Sequence, residues 1–208
     1  NIITEKRNVN QKFTKISTSS GVNVILEQGS PTMVEVETDD NLIEHVVTEV
    51  ENGTLVVKIQ GNISMMTSIN VRIKTETISS LESTSGSSIK SKNTINGSSI
   101  ALKSSSGSEI KVDLEYESVS CESSSGSEIK ASGKTLRLET KSSSGSEIDA
   151  RNLAANEVYA QSTSGSSTTV NPIVKLDGKA SSGSSIDYIK EPKKVTKEET
   201  SGGRVDKE

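Results

Sequence analysis

Ser106-Gly107-Ser108-Glu109-Ile110, Ser125-Gly126-Ser127-Glu128-Ile129 and Ser144-Gly145-Ser146-Glu147-Ile148 repeat one phrase three times in a single chain. Looser copies flank them: Ser85-Gly86-Ser87-Ser88-Ile89 before, then Ser164-Gly165-Ser166-Ser167-Thr168 and Ser182-Gly183-Ser184-Ser185-Ile186 after. Degenerate copies stand at Ser20-Gly21-Val22-Asn23-Val24 and Ser201-Gly202-Gly203-Arg204-Val205. From Gly86 onward the glycines step by 21, 19, 19, 20, 18 and 19 residues. A constant period near 20 marks a stacked repeat. Leucine-rich repeats share the length but need several leucines and an Asn at fixed offsets, which are absent; helical repeats are longer. Ser and Gly also oppose helix, Gly by about 1 kcal/mol per site.

The phrase alternates like a strand. Residues 108, 110 and 112 point one way, Glu109 and Lys111 the other. Val71-Arg72-Ile73, Ile100-Ala101-Leu102 and Leu136-Arg137-Leu138 follow the same period. Each repeat therefore reads as one coil of short strands joined by tight corners, and stacked coils make an all-β parallel β-helix, its coils about 4.8 Å apart. A narrow interior needs few large side chains. The candidates are Ile89, Ile95, Ile100 and Leu102; Ile110, Val112, Leu114 and Val119; Ile129, Leu136 and Leu138; Ile148, Leu153 and Val158; and Val170, Ile173 and Leu176. Gly admits positive φ at the corner, and the flanking Ser hydroxyls are expected to stack as ladders.

We read residues 1–208 as a single solenoid domain. Residues 1–80 form less regular N-terminal coils, with room for about three turns between Gly21 and Gly86. Strands are expected over 22–27, 33–37, 55–59 and 69–74, with Asn52-Gly53 as a hairpin turn. Residues 41–50 fit either a short helix or a strand. Residues 81–190 hold the regular coils, and the charged segment 191–208 closes the last one.

Composition agrees. Of 208 residues 30% are hydrophobic and only 2% aromatic, while Ser occurs 39 times. That excludes a conventional core of large side chains. The charges, 24 cationic against 28 anionic, nearly cancel, so there is neither the high net charge typical of disorder nor the basic excess that nucleic acid demands. No run is long and apolar enough for a transmembrane helix. The chain opens on Asn1, from which a removed or omitted signal segment is expected. We expect an exported protein of the cell surface, periplasm or medium.

Catalytic groups are sparse. His45 is the only histidine, so zinc is not expected. Cys121 is alone and has no adjacent cation to lower its pKa; it reads as an inert thiol. Ser-x-x-Lys occurs at Ser87/Lys90, Ser108/Lys111 and Ser127/Lys130, but on a strand i and i+3 face opposite ways, which removes the acyl-enzyme geometry. Asn-x-Ser/Thr at Asn52, Asn62 and Asn96 reads as turns. A polysaccharide-cleaving β-helix would call for clustered carboxylates or a base in a groove lined by aromatics; the chain has no Trp and its arginines are scattered. No enzyme and no cofactor are expected.

Glu109, Glu128 and Glu147 hold equivalent places and are expected to form an outward column. At about 5 Å they repel by about 0.8 kcal/mol per neighbouring pair in bulk-water dielectric. Lys111 and Lys130, two residues on, offset the first two. Beside Glu147 stands Asp149 instead, an arrangement that suits a hard cation such as Ca²⁺ or, more plainly, a solvated charged face.

Phe13-Thr14-Lys15-Ile16 and Gly21-Val22-Asn23-Val24-Ile25-Leu26-Glu27-Gln28-Gly29, with Val34-Glu35-Val36-Glu37, Asn41-Leu42-Ile43 and Asn52-Gly53-Thr54-Leu55-Val56-Val57, resemble the opening of the "putative auto-transporter adhesin, head GIN domain" family. The serial Ser-Gly-Ser-x-Ile coils resemble the rest of it. The resemblance implies a right-handed, exported bacterial β-helix and brings no catalytic residues. The function expected is a non-enzymatic scaffold for adhesion or surface interaction. Glycan recognition through the Ser and Glu columns, or a self-associating envelope protein, are the alternatives. The partner is a glycan or protein of unknown identity, with a homo-oligomer possible.

Overall fold

A computed structural model describes residues 1–64 and 67–208. Their strands are β1 (Ile2–Arg7), β2 (Lys15–Thr18), β3 (Asn23–Gln28), β4 (Met33–Asp39), β5 (Val46–Glu51), β6 (Thr54–Ile59), β7 (Asn70–Thr75), β8 (Ser80–Ser83) and β9 (Ser88–Ser91). There follow β10 (Ile95–Ser104), β11 (Glu109–Ser123), β12 (Glu128–Ser142), β13 (Glu147–Ser162), β14 (Ser167–Ala180), β15 (Ser185–Tyr188), β16 (Lys194–Glu199) and β17 (Arg204–Lys207). From β8 onward every pairing is parallel, each strand lying on its equivalent one coil away: Glu109↔Glu128↔Glu147, Ile110↔Ile129↔Ile148 and Leu102↔Cys121↔Thr140. The fold is a β-solenoid of about seven turns with about 19 residues per coil.

The corner explains the repeated phrase. At the Ser-Gly pair of each of the eight repeat copies both residues have positive φ, 49–61° for Ser and 66–77° for Gly. Two successive positive φ values are the mark of a type I′ turn, and Gly at its second central position carries no Cβ penalty. The turn closes locally, as when Ser127 N–H donates to Ser124 C=O at 3.2 Å. It also stacks: Gly107 N–H donates to Ser125 C=O at 3.1 Å and Gly126 N–H to Ser144 C=O at 3.1 Å. Each corner thus holds the next one in register.

In the six regular repeats the Ser after Gly points inward and is buried, as is the Ser four residues before it in the first five; Ala180 takes that place in the sixth. Ser127 Oγ accepts from Ser124 N–H at 3.1 Å, meets Ser123 Oγ at 2.8 Å and donates to Ser104 C=O of the preceding coil at 2.7 Å. Ser146 and Ser184 repeat that donation, to Ser123 C=O and Ser162 C=O. The ladder of hydroxyls exists, but its hydrogen-bonding half lies inside. Above and below it the narrow core is filled mostly by Ile, Leu and Val, with Ala at places such as Ala131, Ala150 and Ala160 and with Cys121.

Two of the expected core residues are outside. Leu136 is 57% and Ile173 is 41% exposed. Strict alternation from Leu138 would turn Leu136 inward. Instead a second corner places Leu136 and Arg137 outward in succession, and Thr135 is the buried residue. Pairing is irregular along this far stretch, between Lys130 and Ser132 and again between Asp149 and Ala154, which absorbs the unequal repeat lengths.

The N-terminal region departs from the simple stacking order. β2 and β3 lie between β6/β7 on one side and β8/β9 on the other. The chain therefore builds one coil, passes outside it, and returns. β4 and β5 do not continue the spiral; they pair antiparallel with β7 and β6, and β1 pairs antiparallel with β4. Three successive coils are not formed there. Asn52-Gly53 does make the β5–β6 hairpin turn, with φ of 50° and 77°. Residues 41–50 divide into a short 3₁₀ turn at Ile43–His45 and strand β5. At the far end β16 and β17 form a further parallel coil on β14 and β15. Its inward places carry Lys197, Glu199 and Lys207, opposite Gly178, Ala180 and Tyr188. Charges at such inward places disfavour the packing of a further coil upon them.

Candidate functional site

Two outward faces meet at the Ser-Gly corner. On the first, the places two and four residues after each Gly form columns. One runs Ser88, Glu109, Glu128, Glu147, Ser167; its neighbour runs Lys90, Lys111, Lys130, Asp149, Thr169. The expected glutamate column is present, in register. Lys130 Nζ lies 3.1 Å from Glu128, and Lys90 Nζ lies 3.9 Å from Glu109. The Glu128 hydrogen bond and charge raise the Lys130 pKa.

Asp149 is not left uncompensated: Arg151 Nε reaches it at 3.1 Å and raises its own pKa by doing so. A divalent cation at Glu147 and Asp149 would have to displace that guanidinium. Among the described residues no three His, Cys, Asp or Glu side chains gather as a metal-ligand set. Beside the lysine column runs an open groove of about 490 Å³, lined in part by Asp113, Asn152 and the three lysines.

On the second face the places eight, six and four residues before each Gly form three columns, which the sequence reading did not single out. The outermost, nearest the corner, runs Ser17, Glu82, Lys103, Glu122, Lys141, Gln161, Lys179, Glu198. Its charge alternates almost perfectly. The middle column runs Lys15, Ser80, Ala101, Ser120, Glu139, Tyr159, Asp177, Thr196. The third runs Ser99, Ser118, Arg137, Glu157, Lys175, Lys194. Tyr159 stands between cations, with the Arg137 guanidinium 4.2 Å and the Lys175 ammonium 4.7 Å from its ring centre. Its hydroxyl donates to Glu157 at 3.2 Å. With cations against its ring, Tyr159 is poorly placed as a stacking platform for a sugar. Counting back from each Gly exposes all three columns, so the signal was in the sequence.

A third surface feature is an open apolar groove of about 520 Å³ at the far corner, between Leu136 and Ile173. Inside the core, Cys121 is fully buried and its pKa is pushed up to about 12 by desolvation, so it is inert as a nucleophile. His45 is exposed.

This geometry has relatives. The family model "Putative auto-transporter adhesin, head GIN domain" matches residues 12–192. The chain belongs to that family. Its fold is shared by a "putative adhesin" of Bacteroides fragilis at a TM-score of 0.93 and 19% identity, covering 100% of this chain and 97% of the other. A "putative lipid binding protein" of Parabacteroides distasonis gives 0.78 at 18% identity, covering 100% and 97%. A "putative adhesin" of Parabacteroides merdae gives 0.78 at 16%, covering 100% and 96%. At such identities the likeness is one of fold. Among curated proteins none matches the sequence. The family's description names an adhesin rather than a catalyst, and among the described residues no helix is long and apolar enough to cross a membrane.

Proposed function

We infer that this chain is a non-catalytic, exported surface-interaction module that offers its first face to a partner on another surface. The observation that carries the reading is the in-register pair of columns, Glu109-Glu128-Glu147 beside Lys90-Lys111-Lys130. A rigid backbone repeats Glu in three successive coils and Lys in three, offset by one coil, with neighbouring coils about 4.8 Å apart. Contacts that are weak singly then act together, because each bond formed raises the effective concentration for the next. The glycan reading narrows on the same ground. The inward corner hydroxyls are spent on the backbone, which leaves the charged columns and the outer Ser residues to meet a ligand. A partner bearing regularly spaced charges, such as an anionic glycan or a charged protein surface, fits this display.

The test is adhesion of the purified protein to cells and to a glycan array, beside the triple variant Lys90→Glu/Lys111→Glu/Lys130→Glu. The expected result is binding that the variant loses and that salt weakens. Equal binding by the variant, or none by the parent protein on either surface, overturns the assignment.

A further inference from the structure

The second face has a feature that a display surface does not require: its two halves are complementary to each other. In the middle column the three coils before the midpoint carry small residues, Ser80, Ala101 and Ser120, and the three after it large ones, Glu139, Tyr159 and Asp177; at the two ends the large residue is Lys15 and the small one Thr196. The third column repeats this, with Ser99 and Ser118 against Arg137, Glu157 and Lys175. We propose that this face is a two-fold interface at which a second copy of the chain docks antiparallel, centred between β11 and β12.

A two-fold axis lying in the interface across the solenoid sets each column against itself and reverses the order of coils. The alternating column decides the register. Placing a coil opposite its own copy sets like charge on like, Glu122 on Glu122 for example. Centring the axis between two coils sets opposite charges together. Of those registers, the one between β11 and β12 pairs all eight strands of this face, from β2 to β16. The corner column then matches Glu82 with Lys179 of the second copy, Lys103 with Gln161, Glu122 with Lys141 and Ser17 with Glu198. The middle column seats Tyr159 on Ala101, Glu139 on Ser120 and Asp177 on Ser80. In these two columns no like charges oppose each other, and projecting side chains meet recessed ones. Gln161, the one neutral residue in the alternation, faces a lysine without demanding a counter-charge.

Size agrees as well. Eight strands at about 4.8 Å and three columns give a face of roughly 35 Å by 20 Å, about 700 Å² per partner. A standard stable interface needs about 800 Å² per side. The apolar groove at Leu136 and Ile173 is far smaller and does not carry an interface by itself. Among the described residues the corner column closes one ion pair within the chain, Lys179 to Glu198 at 3.0 Å, so most of its charges remain open to a partner. The proposal stands without the assignment of the first face, and it leaves that face free on both copies.

Sedimentation velocity on the whole chain tests it, with two charge-swapped variants, Lys141→Glu/Lys179→Glu and Glu82→Lys/Glu122→Lys. The parent protein should form a dimer at low salt that weakens at about 0.5 M NaCl. Each variant alone should dimerise at least about ten-fold more weakly, because its own copies now oppose like charges. An equimolar mixture of the two should recover the dimer, since every swapped pair is again opposite; that recovery also shows both variants folded. A parent protein that stays monomeric at roughly 0.5 mM, variants that dimerise unimpaired, or a mixture that stays monomeric each overturn the proposal. None of these readouts depends on adhesion, so failure here is distinct from failure of the first face.

Discussion

The corner makes two residues of one type, two positions apart, respond oppositely to substitution. Ser127 is buried and its hydroxyl serves three partners: Ser124 N–H, Ser104 C=O and Ser123 Oγ. Ser127→Ala removes the oxygen, not the partners. Ser124 N–H and Ser104 C=O keep each other as partners at 3.0 Å, but the buried Ser123 Oγ loses the Ser127 hydroxyl it meets. A buried polar group left unpaired costs about 1–3 kcal/mol, and we expect about 2 kcal/mol. Ser125 is exposed, with φ of 53°. Asn tolerates that region best among residues bearing a Cβ, and Asn-Gly is the preferred type I′ pair. Ser125→Asn should stabilise by about 0.5–1 kcal/mol. Urea and thermal unfolding of both variants measure the difference. Solenoids can unfold in stages, so the midpoint should be followed by circular dichroism and by hydrogen exchange at the mutated coil. Should Ser127→Ala cost less than about 0.5 kcal/mol, or Ser125→Asn destabilise by as much as Ser127→Ala, the inward hydroxyl network is not what holds the corner.

The far corner gives a second contrast: Leu136→Ser should change stability by less than about 0.5 kcal/mol, whereas Leu138→Ala should cost about 2–5 kcal/mol, as thermal melts would show. Alkali should destabilise the fold. Burial raises Cys121 from 9.0 to about 12 and Tyr116 from 10.0 to about 12. Both are neutral when folded, so the unfolded chain ionises first. Their contribution is whole below pH 9 and is lost as the pH rises towards 12, at about 1.4 kcal/mol per unit for each group titrating only in the unfolded state. Cys121→Ala should flatten the first part of that slope in melts at pH 8.5 and 10.5; an unchanged slope refutes the assignment to Cys121. At the last coil, Lys197→Val/Glu199→Ala should convert a charged end into an adhesive one. Light scattering should then show salt-resistant growth beyond any dimer, and its absence would mean that the inward charges do not guard the end.

Much of this was legible because the corner is rigid. A type I′ turn needs positive φ twice, so Ser-Gly recurs and fixes the positions on both sides of it. Glu109, Glu128 and Glu147 could be placed in one column from spacing alone, as could the inward Ile110, Ile129 and Ile148. The far corner was illegible for the converse reason. It has no obligatory residue type: its buried place is filled in turn by Tyr116, Thr135, Ala155 and Pro172. Leu136 and Ile173 looked internal because hydrophobicity was the only cue. The N-terminal order was hidden too, since a strand does not announce on which side of an earlier coil it will pair. β6 and β8 both match β2, and only the antiparallel excursion through β4 and β5 decides which goes outside.

The alternating column shows what separates a structural charge pattern from a presented one. On the first face like charges repeat along a column, and relief comes sideways, from Lys130 to Glu128 and from Arg151 to Asp149. Repulsion along the axis is offset there by these within-strand pairs and by Lys90, which reaches Glu109 of the next coil. That leaves an evenly repeated pattern of dipoles for a ligand to read. On the second face neighbouring charges along the axis are opposite, Glu82, Lys103, Glu122 and Lys141, and the pattern reverses sign at each of these coils. A ligand with one charge per repeat cannot match it in any register, whereas an inverted copy of the same column matches it in every odd one. On the two proposals the faces would therefore select different partners from the same repeat, a periodic foreign surface for one and a second copy of the chain for the other.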